Sequence, residues 1–542
     1  MSNALKNYAG ATKTARTSTP QRVRTPGRVD EVNNNAGGFV FKASDKSRLE
    51  RFLILGTDGG TYYVGEHKLT SQSVSFVKDM IRKNEYLVIN TLRDVAVNNR
   101  AAKNGPSIFT LALLLTEGQD KPASRAIVND VVRTGTHLFE FASYIDSLGG
   151  WGRAKRAAVA GWYEGKTADQ LAYQAVKYRQ REGWTHRDVF RKVHPVGVDQ
   201  RVGNFILGRG QEVNGVREAD LLDGFYAMQH AGTVKEVLGV LNRHKNLPWE
   251  TIPTQFLTDE KVWKTLFYNG ALGQTALLRN VTRFAKMGAF NDLMFAGDIA
   301  KALADKDKIV KGRVHPVAYA NALGIYTKGR VTGETYYGSG RTRDWSVNAK
   351  VAGGVEAGFY NSFDAIEPAN KATMVSVDVS GSMTWGAPAG LVGMNYMEAA
   401  AVMAMVTVRT EPYAVINAFS THLQEVDISD NDNLETVFNK FERVQMGGTD
   451  VSAPMVDAKA KGLSIDTFAV YTDNETWAGN IKPSQALVQY RQTSGRNARL
   501  AVVALAGEAF TVADPQDSGM MDFVGMDSSA PRVLADFSAG RI

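Results

Sequence analysis

Cysteine is absent from the 542 residues. Its absence excludes disulfides, thiolate metal sites and a cysteine nucleophile together, and it fits a reducing compartment. Long hydrophobic runs are lacking too. The longest, residues 109–115 and 399–408, fall far short of the ~20 apolar residues that a membrane-spanning helix needs. The first 28 residues are polar, without the apolar segment of a secretory leader. The chain is therefore expected to be soluble and cytoplasmic, with no membrane partner. Neither G-x-x-x-x-G-K-[ST] nor H-E-x-x-H occurs, which removes the phosphate-cradling loop and the zinc-protease helix. No residue is assigned a catalytic role, and an enzyme is not expected.

What is present is an ordinary globular balance, 44% apolar and 22% charged, in a chain too long for one core. The net charge of +7 is unevenly spread. Residues 371–542 carry 12 Lys and Arg against 20 Asp and Glu, a net of −8, which leaves +15 on residues 1–370. A basic part joined to an acidic part points to a polyanion bound by the first and a different partner met by the second.

Three segments follow. Residues 1–35 hold Lys6, Lys13, Arg16, Arg22, Arg24 and Arg28 with no acid before Asp30, and they are expected to form a disordered basic tail. Residues 36–362 are read as a helical domain: apolar spacing of helical period recurs from about 70 to 330 in runs of roughly 10–16 residues. Helical pairs about 35–45 residues long suggest a HEAT-like solenoid, although no clean repeat is visible. The Gly-, Arg- and Tyr-rich stretch 328–362 is expected as a connector. From 363 to 542 β-rich runs alternate with helices, which predicts a parallel sheet covered on both faces.

The sharpest motif is Asp378-Val-Ser380-Gly-Ser382 at the end of the first of these strands. Ligand sites in doubly wound sheets lie at carboxyl ends of strands. Thr449, in the Gly-Gly-Thr-Asp turn, and Asp473, after the strand 468–471, fall at equivalent places. Hydroxyl and carboxylate donors without His or Cys select Mg²⁺, Mn²⁺ or Ca²⁺ over Zn²⁺; Mg²⁺ is expected. Neutral hydroxyls leave the ion electron-poor and able to attract a carboxylate from a partner. The set resembles the metal-ion-dependent adhesion site of von Willebrand factor A (vWA) domains. A blander reading is that these Ser and Asp side chains only cap helices.

A second constellation spans Thr167–Pro195. Thr167-Ala-Asp-Gln170 reads as a capping box and Gly183 as a helix stop, predicting one helix over 167–182 with Gln170, Gln174, Lys177 and Arg181 on one face. Thr185 then caps a shorter helix carrying His186, Arg187, Arg191 and Lys192, ended by His194 and Pro195. Lys and Arg neutralise phosphates, and His bonds or stacks on a base. The competing reading is a solvated helix face.

Several segments together resemble the Ro autoantigen family, the TROVE-domain proteins, especially its bacterial members. Residues 34–39 (Asn-Asn-Ala-Gly-Gly-Phe) and 51–56 (Arg-Phe-Leu-Ile-Leu-Gly) look like the family's N-terminal signature. Residues 177–188, 247–253, 262–264, 275–280 and 313–316 match further on, as do 378–383 and 472–477. The resemblance implies a ring of HEAT-like repeats, the TROVE domain, with a vWA domain beside it. It also implies a small noncoding Y RNA on an outer basic surface, single-stranded 3′ ends of misfolded RNAs in a central hole, and polynucleotide phosphorylase as a partner in RNA quality control. Family RNA-binding positions that match are Lys177, Arg181 and His194; the charge pattern adds Arg187 and Arg191, and His186 at the helix N-terminus is taken with them. The loop 384–393 and the connector 332–340 depart from the family pattern. A monomeric, non-catalytic RNA-binding scaffold is expected. Two rivals are a vWA-centred protein-interaction module without RNA function and a metal-dependent nuclease.

Overall fold

The structure, a computed structural model, describes residues 18–55, 71–98, 100–101, 104–209, 220–312, 314–332, 342–365, 368–386, 388, 393–429, 431–505, 510–524 and 530–540. The chain divides into two compact units: residues 1–73, 313–324 and 359–542, and residues 74–312 and 325–358.

The second unit is mostly helical. Its helices are short and amphipathic, and most begin at a side-chain cap such as Asp120, Thr134, Thr167, Thr185, Asp199, Asp220 or Thr233. Each such cap satisfies backbone N–H groups that the first turn leaves unpaired. The apolar stripes meet over fully buried Phe139, Phe141, Trp162, Tyr163, Trp263 and Phe284. Ser71–Val97 is broken at Asn84, which takes φ −157° and ψ 79°. The expected connector 328–362 instead contains an antiparallel strand pair, Arg330–Thr332 with Thr342–Asp344, and a helix, Ala349–Asn361. Residues 333–341, with Gly333, Gly338 and Gly340, fall outside the described residues.

The first unit is built on a six-stranded sheet. Its spatial order is Met520–Val524, Arg499–Ala504, Thr467–Thr472, Ala372–Asp378, Tyr413–Phe419 and Leu423–Glu425. All neighbours are parallel except the last pair. The middle strands are apolar on both faces, as a doubly covered sheet requires. One face packs Met374, Phe468, Val470 and Leu500 against Met455, Ala486, Leu487 and Tyr490 from the helices Ala453–Lys461 and Pro483–Ser494.

The expected loose tail is corrected over residues 18–35, which are bound into this unit; residues 1–17, with Lys6, Lys13 and Arg16, lie outside the described residues. Glu31–Asn33 pairs with Phe39–Lys42, which pairs in turn with Phe510–Thr511. Arg28 makes a two-pronged ion pair with Asp514 at 2.7 and 2.8 Å and stacks 4.5 Å over the Phe41 ring. Buried Lys482 donates to the carbonyls of Gln21 (3.0 Å) and Phe39 (2.8 Å). Of the tail cations, Arg28 thus satisfies an acid of the same unit, and Arg24 donates to the Glu31 carbonyl at 3.1 Å. Further on, fully buried Arg51 pairs with Asp522 and donates to the Phe510 carbonyl at 2.9 Å.

Candidate metal centre and nucleic-acid interface

The strands Ala372–Asp378 and Thr467–Thr472 are parallel neighbours, with Val377 opposite Tyr471. Their carboxyl ends therefore bring Asp378 and Asp473 to one edge of the sheet. Asp378 is fully buried, accepting from the Ser380 N–H at 2.8 Å and from the Thr472 hydroxyl at 2.8 Å. Asp473, also fully buried, accepts from the Glu475 N–H at 3.0 Å. Burial, with the neighbouring Asp473 charge second, pushes the Asp378 carboxyl up to about 7.

The hydroxyls of Ser380 and Ser382 stand 3.1 Å apart. Adjacent ligands of an octahedral ion with bonds of 2.0–2.1 Å lie ~2.9 Å apart, so this pair fits two neighbouring positions. Thr449 is held at the same end of the sheet. Its carbonyl accepts from the N–H groups of Trp477 (2.9 Å) and Ala478 (3.0 Å), and the next residue, Asp450, bonds through N–H to the Ser420 carbonyl at 2.9 Å. Two buried, mutually repelling carboxylates beside hydroxyl donors make a donor set that fits a hard divalent cation. Among the described residues, no three His, Cys, Asp or Glu side chains group around a point suited to a metal.

Sequence reasoning missed what braces these loops. The Gln21 side chain donates to Asp450 at 2.7 Å and accepts from the Thr476 hydroxyl. Asn34 donates to the Thr476 carbonyl at 2.7 Å, while Asn35 and the Ala36 N–H bind the Glu475 carboxylate at 2.6 and 2.9 Å. A Cβ on Gly38 would collide with the Thr476 carbonyl, so the close approach needs glycine there. The only sequence signal was the run Asn34–Phe39, legible as a motif but not as a clamp.

In the helical unit both capping boxes form as expected, Thr167 with Gln170 and Thr185 with Asp188. The first helix differs. It ends at Lys177, not at 182, and Arg181 leaves the face expected to carry it. Gln180–Arg181 and Trp184–Thr185 form a tight antiparallel hairpin, with Glu182 (φ 51°) and Gly183 (φ 76°) at its turn. Positive φ at both central residues matches the twist of a two-residue hairpin. Packing sets the break: the Gly135 N–H, at the start of the helix Gly135–Ser147, donates to Gln174 at 2.8 Å, and the chain must turn away at Tyr178.

The six expected RNA-binding residues separate into three groups. His186 is corrected: it is a core residue. It is 5% exposed, its ring lies 4.7 Å from that of Phe139 and stacks on Trp162 at 5.9 Å, and Nδ1 is 3.0 Å from the Tyr163 hydroxyl. Burial pulls its imidazole down to about 4. Lys177 and Arg181 have acidic neighbours. Half-buried Lys177 lies 3.7 Å from Glu250 and bonds the Tyr173 hydroxyl at 3.1 Å; exposed Arg181 lies 3.3 Å from Glu182 and 3.7 Å from Glu140. Arg187 and Arg191 are exposed along the helix His186–Val193, together with Lys192, and His194 ends that helix, exposed, at φ 48°. Asp188, the acid within the helix, is spent on capping Thr185. No ion pair with Arg187, Arg191 or Lys192 occurs among the described residues.

The Ro60 vWA domain family matches residues 372–538, and the TROVE domain family matches residues 32–208 and 240–334. A curated relative from Deinococcus radiodurans, named RNA-binding protein RO60, is 37% identical over 528 residues, spanning 95% of this chain and 97% of its own. A relative of the same name from Caenorhabditis elegans is 30% identical over 594 residues, spanning 94% and 90%. The crystal structure of the Deinococcus radiodurans RO (RSR) protein superimposes with a TM-score of 0.72 at 35% identity, covering 92% of this chain and 100% of that one. Both curated relatives are named for RNA binding and neither for a reaction, in line with the expectation that the chain is not an enzyme.

Proposed function

Because the chain belongs to the Ro60 family of TROVE-domain proteins, we propose that it binds structured RNA through the basic face of its helical unit without transforming it. The observation that carries this reading is the helix His186–Val193. Its capping box consumes Asp188 and leaves Arg187, Arg191 and Lys192 exposed without an acidic partner among the described residues. Exposed cations in a row exchange condensed counterions for phosphates. Lys177 and Arg181 flank the row, their acids being neighbours that an RNA phosphate displaces. The RNA is a small noncoding Y-like species, and single-stranded 3′ ends of misfolded RNA are a second ligand. An exoribonuclease such as polynucleotide phosphorylase is the partner that consumes them. These finer identities rest on the family resemblance. Asp378, Ser380, Ser382, Thr449 and Asp473 hold a divalent cation, Mg²⁺, whose charge offsets the two buried carboxylates.

The test is a gel-shift titration with a hairpin RNA at several salt concentrations. Arg187→Ala combined with Arg191→Ala should weaken binding at least tenfold and flatten the slope of log affinity against log salt by about 0.9 for each lost phosphate contact. Unchanged affinity and slope, with the helical circular dichroism intact, would remove this face from the reading.

A further inference from the structure

The loop after the strand Thr467–Thr472 carries a buried polar residue outside the donor set. Asn474 sits between Asp473 and Glu475 and is fully buried. Neither its Oδ1 nor its Nδ2 has a hydrogen-bond partner among the described residues. No other amide, carboxylate, imidazole or guanidinium side chain among them has two such atoms. An amide offers two acceptor lone pairs and two donors. Burying it with none of them paired is unfavourable and calls for a cause.

The backbone does not supply one. Asn474 lies at φ 71°, a region that Asn tolerates, but glycine takes the same turn with no amide to bury. The loop is also held from outside. Asn34 donates to the carbonyls of Thr476 at 2.7 Å and Asn474 at 3.5 Å, while Asn35 and the Ala36 N–H hold Glu475. On the inner side, the Asn474 N–H donates to the Thr472 hydroxyl at 3.2 Å, and that hydroxyl donates to Asp378 at 2.8 Å. Two hydrogen bonds thus tie the backbone of Asn474 to one carboxylate of the metal site, and a peptide bond joins it to the other, Asp473.

A hydrated cation brings to this place what the amide lacks. Mg²⁺ gives up its waters reluctantly and keeps several of them when it binds a protein. A water on the ion is a strong donor, because the metal draws on its lone pair. A neutral amide oxygen accepts from it without adding a third negative charge beside Asp378 and Asp473.

We propose that Asn474 is a positioning residue of the metal centre, its Oδ1 accepting a hydrogen bond from a water that the cation retains and its Nδ2 donating to a further water there. The inference rests on the metal reading above and adds to its donor set a neutral group that acts through water.

The experiment titrates the EDTA-treated full chain with Mg²⁺ by isothermal titration calorimetry. A parallel titration with Mn²⁺ follows water-proton relaxation, which reports how fast water on the bound ion exchanges. Asn474→Gly keeps the backbone turn and removes the amide. It should weaken Mg²⁺ binding about 10–100-fold, the usual effect of losing a group that orients what the metal holds. It should also speed the water exchange, while the metal-free melting temperature stays at or above that of the parent. Parent-like affinity in the variant overturns the inference and leaves the metal reading in place. So does a fall in the metal-free melting temperature, which would make Asn474 a brace of the loop alone, and so does weakened binding with unchanged water exchange. A parent chain that binds neither ion overturns both inferences.

Discussion

Two buried titratable groups show how environment decides a residue's role. Asp378 has its carboxyl pushed up to about 7 by burial and then by Asp473. A raised acid stabilises the metal-free fold fully below its ordinary pKa near 4, and that contribution is lost as pH rises through about 7. Without divalent cations the melting temperature should therefore carry a falling component from pH 6 to pH 8, and Mg²⁺ should reverse it. Asp378→Asn should raise the EDTA-treated melting temperature at pH 8 and abolish the Mg²⁺-induced increase; a variant still stabilised by Mg²⁺ would place the ion elsewhere. His186 has the opposite sign. Its pKa is pulled down to about 4, so its contribution is complete above about 6.5 and declines as pH falls toward 4. His186→Phe keeps the ring packing and removes the titration, so thermal melts should show a smaller loss from pH 7 to pH 5 than the parent shows. Because the residue is enclosed, the same variant should bind hairpin RNA as the parent does. The sequence could not separate these cases, because charge and spacing describe a face while burial is set by Phe139, Trp162 and Tyr163 from other helices.

Among the elements, those with strong local signals were legible. The β-rich runs expected past residue 363 are strands, Tyr413–Phe419 among them, and both capping boxes form where Thr is followed three residues later by Gln or Asp. The helical spacing expected from about residue 70 onward is also met, with a break at Asn84 inside Ser71–Val97. What could not be read depends on distant partners. Residues 178–182 are good helix formers by composition, yet the chain leaves the helix at Tyr178, packed against Gly135, and forms a hairpin. The hairpin positions Arg181 and sets Trp184 against Trp151 at 5.4 Å. Its turn holds Gly183 at φ 76°, where an L side chain costs about 1 kcal/mol or more. Gly183→Ala should therefore lower unfolding stability in urea by about that amount. It should also weaken hairpin RNA binding more than it alters the helical circular dichroism. Normal affinity would mean that Arg181 needs no fixed position.

On the scale of the whole molecule, sequence order and spatial order part company. Alternating strands and helices place the α/β domain at residues 363–542, and every parallel strand of its sheet does lie there. The compact unit nevertheless also takes residues 1–73 and 313–324, so the helical unit is an insertion in chain order. Nothing in local periodicity announces this, because the recruited pieces are short and lie far from the sheet in sequence: a three-residue strand, a four-residue strand and the helix Asp45–Leu55. Their contribution is large for their size. Val40 completes the core around Phe468 and Leu500, and Arg51 neutralises buried Asp522. Removing one partner of such a buried pair costs roughly 3–5 kcal/mol, so Arg51→Ala alone should strongly destabilise this unit. A fragment of residues 363–542 would lose that partner, expose the apolar edge that Val40 covers, and strip Lys482 of the Gln21 and Phe39 carbonyls. It should lack a cooperative thermal transition and bind the exposed-apolar-surface dye ANS, whereas the full chain should melt sharply. If the fragment instead unfolds cooperatively, with Mg²⁺ raising its melting temperature as in the full chain, the N-terminal segment is dispensable to the sheet and its clamps on Asp450, Glu475 and Thr476 do not hold the metal loops in place.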